Sequence, residues 1–200
     1  MLARDFRKKA WEALNGKWGT FALTYFVYML ISGVCGAIPS IGTVAALVIA
    51  GPFSVSIAMI ALKVLNNEEF QVANLFDGFN NFINAFLLGL LNGVFTFLWS
   101  LLFVIPGIVK ALSYSMSYFI LAENPNMSQA EARRESMRIM QGNKWRLFCL
   151  QFSFIGWLIL SSFTAGILLI WVTPYMQTAT AAFYNEIKNK PIAAEATPEV

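Results

Sequence analysis

With 200 residues, 58% of them hydrophobic and 12% charged, and a mean hydropathy of +0.60, the chain carries about half the charge of an ordinary soluble domain. That balance excludes a typical water-soluble enzyme and predicts one membrane domain over 1–190, followed by a short tail. A net charge of +3 is too small to indicate a nucleic-acid partner.

Residues 2–14 place Leu2, Phe6, Ala10, Ala13 and Leu14 on one helical face, with Arg4, Lys8 and Trp11 elsewhere. This is the pattern of a short basic helix lying in the inner headgroup region. The plain reading is a positive anchor ahead of a first span, and recruitment of anionic lipid draws on the same physics. The apolar run 18–38 is too long for the h-region of a signal peptide and has no small-residue cleavage site, so it is expected to remain as a span. Cys35 and Cys149 both fall in apolar runs and point toward opposite faces, as small hydrophobes in packing positions.

Three windows are nearly free of charge: 18–62, 78–122 and 147–185. At about 1.5 Å per helical residue, each is long enough to cross a bilayer twice. Each also holds breakers near its midpoint. These are Pro39 to Gly42 and Gly51-Pro52 in the first, Pro106-Gly107 in the second, and Gly166 and Pro174 in the third. The expected fold is all-α and polytopic: six transmembrane helices in three hairpins, with short interfacial amphipathic helices between them.

If every window crosses twice, the charged segments share one side. Thirteen of the fourteen basic residues then lie on that side, and only Lys110 lies toward the other. The positive-inside rule makes the basic side cytoplasmic, with both termini inside. Parity and charge reach this topology from separate premises.

Residues 128–141 read as a second surface helix, expected to be a solvated connector. Ser128 and Glu131 have capping-box spacing, and Glu131/Arg134 and Glu135/Arg138 can pair one turn apart. The tail 191–200, rich in Pro, Ala, Glu and Thr, is expected to be disordered and cytoplasmic.

An internal repeat links these parts. The stretch from Leu14 through Gly16, Lys17 and Trp18 to Leu23 recurs from Met140 through Gly142, Lys144 and Trp145 to Leu150, and a fainter copy surrounds Gly78. Each glycine precedes the first helix of a window and can end a surface helix in the left-handed conformation. The neighbouring Lys and Trp mark the headgroup level. Because the copies run parallel, the repeat speaks for architecture more than for transport.

The parts of an active site are missing. The sequence has no histidine, and no carboxylate falls inside the windows. It has no phosphate-binding glycine loop, paired-cysteine motif or nucleophile elbow. The chain is therefore read as non-enzymatic, with no cofactor and no metal. Lys110 is the one ionisable side chain within a window, and so a candidate for function or lipid contact. It lies about one turn past Pro106, so it can instead snorkel to the outer surface. Ser113, Tyr114 and Ser117, with Tyr118, share the sector that follows it. Thr20, Thr24, Tyr28 and Ser32 form a second polar stripe, and Asn92, Thr96 and Ser100 a third. Such stripes, like Gly89-xxx-Gly93, serve close helix packing, and alternatively line a hydrated path. Pro106, Gly107 and Pro174 are the expected turn or hinge positions.

Several blocks together resemble a known bacterial membrane family. They are Leu75-Phe76-Asp77-Gly78-Phe79, the stretch from Trp99 to Lys110 with Ile105-Pro106-Gly107-Ile108-Val109-Lys110, Ile120-Leu121-Ala122-Glu123-Asn124-Pro125, and Gly142-Asn143-Lys144-Trp145-Arg146. The family is the domain of unknown function numbered nine-seven-five. The chain is also distantly similar to the membrane region attached to some glycerophosphodiester phosphodiesterases, without their catalytic domain. The resemblance implies a multi-pass bacterial plasma-membrane protein and lends it no catalytic residue. The expected role is a scaffold or accessory protein, or one in lipid or envelope homeostasis, with membrane lipids as partners. A membrane-protein partner or a homo-oligomer is left open. The alternative is a small transporter or channel with a polar path near Lys110.

Overall fold

The computed structural model of the chain describes residues 2–38, 41–164 and 166–188. The predicted tail, Lys190 and the Pro39-Ser40 breaker lie outside the described residues. The described chain is all helical, with no strand. Its elements are α1 (Ala3–Ala13), α2 (Trp18–Ala37), α3 (Ile41–Leu65), a 3-10 helix (Val72–Asn81), α4 (Phe82–Leu102), α5 (Val104–Tyr114), α6 (Ser117–Glu123), α7 (Gln129–Ile139), α8 (Lys144–Phe152), α9 (Ile155–Phe163) and α10 (Leu169–Ile187).

Five segments are long and apolar enough to cross a membrane: Trp18–Ala37, Val44–Leu65, Val72–Leu101, Val104–Glu123 and Lys144–Phe163. That is the composition of a membrane-embedded protein. Helix α10 is not among them, because Thr173, Gln177, Thr178 and Asn185 lower its hydropathy. Yet α10 is the most enclosed helix. It packs on α1, α2, α3, α8 and α9, and Thr178, Ala179, Ala181 and Phe183 are fully buried. A helix surrounded by protein has no need of the apolar faces that lipid demands.

The core joins α10 to α1, the C-terminal half of α3, and α6, α7 and α8. Phe6 of α1 meets Phe183 edge to face, and Ala10 and Leu14 are fully buried. Helix α1 is thus amphipathic as expected, but its apolar face rests on α10 rather than on lipid, and Leu2 stays 75% exposed. By contrast α9 and the ends of α2, α4 and α5 nearest their turns present Leu30, Val34, Phe97, Leu101, Phe103, Val104, Ile159 and Phe163 outward.

Helix α7 also differs from its expected place. The Ser128–Glu131 cap forms, with Glu131 N–H donating to Ser128 Oγ at 3.3 Å and Ser128 N–H to Glu131 Oε2 at 3.0 Å. Arg138 pairs with Glu135 through Nε at 2.6 Å. But the helix is docked, not a free connector. Ala132, Ser136 and Ile139 are buried, Ser136 Oγ donates to the carbonyl of Ser113 at 2.7 Å, and the Arg133 guanidinium lies 4.7 Å from the Phe95 ring. Its regular charge pairs mark the exposed face and say nothing of the buried one, Ala132, Ser136 and Ile139.

Two expected breakers do not break. Pro52 lies inside α3 and Pro174 inside α10. In both helices a hydroxyl four residues on donates to the proline's own carbonyl: Ser56 Oγ at 3.1 Å and Thr178 Oγ1 at 2.8 Å. These bonds add to the ladder on the far side of each proline, and membrane helices tolerate an internal proline when packed neighbours brace it. The chain reverses instead around Gly166, whose φ is +83°. At the other turn the reversal is at Phe103, and Pro106 falls in the first turn of α5, where its missing N–H costs nothing. Gly107 follows because a Cβ there would sit 2.1 Å from Ser100 Oγ, so α4 and α5 can close on each other.

The repeated glycines divide into two kinds. Gly16 and Gly142 take φ of +78° and +73°, ending α1 and α7 as the repeat predicts. Gly78 is not in that region. It is glycine because Pro52 approaches closely, and its N–H donates to Ser56 Oγ at 2.8 Å.

Candidate functional site: a neutral polar cavity among the helices

The serines that follow Lys110 bond to backbone carbonyls and to Asn92. Lys110 is half-buried with Nζ 4.9 Å from the Trp99 ring, so its charge rests on an aromatic face of α4. Ser113 and Ser117 are buried and bonded. Ser113 Oγ donates to the Val109 carbonyl at 2.7 Å, and Ser117 Oγ to the Tyr114 carbonyl at 2.6 Å. Asn92 Nδ2 reaches Ser117 Oγ at 2.8 Å, tying α4 to α6. Tyr114 is buried beside them. This cluster is interhelical packing, and Gly89 extends it: a Cβ there would lie 2.7 Å from Gly51 Cα.

A different set of polar residues does converge. Helices α2, α3, α6, α8 and α10 enclose a cavity of about 340 Å³, and it also touches the junctions between α5 and α6 and between α8 and α9. Tyr25 and Tyr28 come from α2, Ser54 from α3, Ser115 and Tyr118 from the α5–α6 segment, Gln151 and Phe154 from α8–α9, and Gln177 and Thr180 from α10. None of the described residues lining it is an acid, a lysine or an arginine.

Local sequence explains the two junctions. Ser115 Oγ donates to the Leu112 carbonyl at 2.7 Å and Ser153 Oγ to the Leu150 carbonyl at 2.6 Å. Hydroxyls that bond back to the preceding turn bend helices. At the second junction the backbone tightens to 3-10 spacing: Phe154 N–H bonds the Gln151 carbonyl at 3.1 Å and Trp157 N–H the Phe154 carbonyl at 2.9 Å. The Ser153 carbonyl accepts from Arg7 Nη1 at 3.3 Å, so α1 caps the end of α8.

The glutamines are the informative pair. Neither the Gln151 nor the Gln177 side-chain amide bonds to a described residue, although both sit in helices with apolar neighbours. Ser54, in contrast, is satisfied by the Ala50 carbonyl at 2.7 Å. Gln151 is exposed and Gln177 half-buried, so both amides are open to water or to a ligand.

The family model described as Protein of unknown function (DUF975) matches residues 1–114 and 101–191. The chain belongs to that family. No curated protein and no solved structure matches it. In this DUF975 member the blocks that carry the resemblance have structural work. Asp77 pairs with Lys63 at 3.8 Å, Glu123 accepts from Tyr184 at 2.8 Å and from Lys188, and Arg146 pairs with Glu186 at 2.7 Å. Those contacts fasten helix ends. The cavity of this DUF975 chain uses other residues, of which Tyr28 and Tyr118 belong to the sequence's polar stripes. Gln151 and Gln177 are not among the sequence's candidates, though a signal is present: they are the two glutamines of a window that has no charge.

Proposed function

We propose that this is a non-enzymatic six-span plasma-membrane protein, with both termini cytoplasmic, that holds a ligand drawn from the membrane in its neutral cavity and serves lipid or envelope homeostasis. The observation that carries the reading is the pair of unpartnered amides, Gln151 and Gln177, facing one cavity. Its volume lies at the lower end of small-molecule sites, about 300–1,000 Å³. Its described lining offers hydrogen bonds but no carboxylate, lysine, arginine or cysteine, which suits binding rather than bond making. A sixth span is supported by α10, whose 19 residues reach about 28 Å and whose polarity faces protein.

Two measurements test this. Reporters fused after Asn67 and after Gln141 should both read cytoplasmic, and a periplasmic signal from either sinks the topology. Protein extracted with its native lipids should release a bound molecule in native mass spectrometry, and Gln151→Leu with Gln177→Leu should release much less. Equal release from both proteins sinks the site.

A transporter is the second reading, favoured by one observation: both interrupted helices, α5–α6 and α8–α9, meet at the cavity, as discontinuous helices do in transporters. Uptake of solute into sealed proteoliposomes, abolished by the same substitutions, would select it.

A further inference from the structure

We infer that the cavity takes an uncharged, hydroxyl-rich group, a sugar or polyol, carried either as a lipid headgroup or free in solution. This rests on the cavity being a ligand site and adds the class of ligand.

Charge is the first discriminator. A phosphate or ammonium in this cavity would meet no counter-charge, since its described lining is neutral, and an unpaired buried ion costs several kcal/mol. Hydrocarbon fails for the opposite reason. It would displace water from the half-buried amide of Gln177 and give it no hydrogen bond in return. What remains is a neutral group able both to donate and to accept. Each amide presents two donors and an acceptor oxygen, and the Tyr28 phenol presents one donor with lone pairs, whereas the Tyr118 phenol is already bonded to the Asn92 side chain. A hydroxyl matches either partner, and several adjacent hydroxyls match them together.

The walls fit the same group. The rings of Tyr25 and Tyr28 stand 5.4 Å apart at 46°, and Phe154 is nearly fully buried on the far side, held edge-on to Tyr175 at 5.1 Å. Aromatic faces of this kind receive the C–H face of a sugar ring while its hydroxyls turn to the amides. Gln151 is exposed, and α9 beyond it packs chiefly on α10, so the cavity is open on the flank of the least enclosed helix. That opening suits a headgroup arriving sideways from the bilayer.

The experiment uses the full chain in phosphatidylglycerol nanodiscs doped with a minor fraction of monoglucosyldiacylglycerol, with retained lipid counted by native mass spectrometry. Wild type is expected to retain the glucolipid at least tenfold over its share of the disc. Gln151→Leu with Gln177→Leu should lose that preference while keeping the same helicity and monodispersity. Methyl glucoside at millimolar concentration separates the two sources. Displacement of the glucolipid shows that the sugar alone is read, and binding of methyl glucoside without glucolipid enrichment assigns the cavity to a free sugar. Both outcomes support the inference. Wild type alone can overturn it, whatever the variants do, by showing neither glucolipid enrichment nor methyl glucoside binding. Enrichment that survives the double substitution also overturns it. If phosphatidylglycerol is retained instead, and lost with the two glutamines, this inference falls while the ligand-holding role stands. If no lipid is retained and no methyl glucoside binds, both fall.

Discussion

Asn92 on α4 and Ser117 on α6 meet at 2.8 Å, and the serine passes the bond on to the carbonyl of Tyr114. Such bonds between membrane helices are worth about 0.6 kcal/mol on average and about 1.7 at most. Ser117→Ala should therefore lower unfolding stability by that amount in a steric-trapping or detergent titration. Cysteines placed at Ser113 and Ser117 should resist an aqueous maleimide, while one at Gln151 should react. Rapid labelling at Ser117 would restore the hydrated path that the polar stripe allows.

The crossing of α3 and α4 is governed by backbone contact. Gly51 Cβ would lie 2.2 Å from the Ala85 carbonyl oxygen, and Gly89 Cβ 2.7 Å from Gly51 Cα. Overpacking costs about 1–3 kcal/mol when side chains can yield, and here backbone would have to move. Gly89→Leu should cost at least about 3 kcal/mol and broaden the size-exclusion peak. Gly93→Ala is the control, because no atom lies within 4 Å of a Cβ there, and it should leave the peak unchanged.

Acid should loosen α7. The Ser128 hydroxyl and backbone N–H hold the Glu131 carboxyl below its ordinary value, and Arg138 does the same for Glu135. A lowered folded-state value adds stability that is complete above the usual glutamate range and is lost as pH falls through the depressed values. Amide exchange of 128–141 should accelerate between about pH 5 and pH 3 relative to α10, and Glu131→Gln should remove part of that dependence. An exchange ratio flat across that window would refute the coupling.

Arg7 links α1 to the junction of α8 and α9. Its Nη1 donates to the Ser153 carbonyl and its guanidinium lies 5.8 Å from the Phe154 ring. Hydrogen bonds to charged groups contribute about 1.5–3 kcal/mol, less where solvent shares the site. Arg7→Met should raise amide exchange at 151–157 several-fold without altering α4 or α5. Unchanged exchange there would show that the junction holds itself.

Lys110 serves as the negative control for the cavity. Its contact is with Trp99, away from Gln151 and Gln177. Lys110→Met should leave ligand retention within twofold of wild type, and a larger loss would return Lys110 to the candidates.

What could be read from the residues was whatever a single segment records by itself. Freedom from charge located the helices, Ser128 and Glu131 marked a helix start, and Gly16 and Gly142 marked two helix ends. Pro52 and Pro174 are not breakers because a proline's effect depends on the neighbours that brace its helix. The cavity was illegible for a plainer reason. Gln151 and Gln177 line one cavity from separate helices, and only packing puts them there. Helix α7 was misplaced because its charge pairs describe the side facing out, whereas Ser136 and Ala132 belong to the side facing in.

The polarity of α10 has a consequence for how the molecule is made. A segment with Thr173, Gln177, Thr178, Asn185 and Glu186 has little drive to leave the translocon for lipid by itself, since polar residues make insertion unfavourable. The five apolar segments can partition as they emerge, whereas α10 gains its environment only from their assembled faces. Helix α10 is thus seated only after the segments it packs on, α1, α2, α3, α8 and α9, are in place.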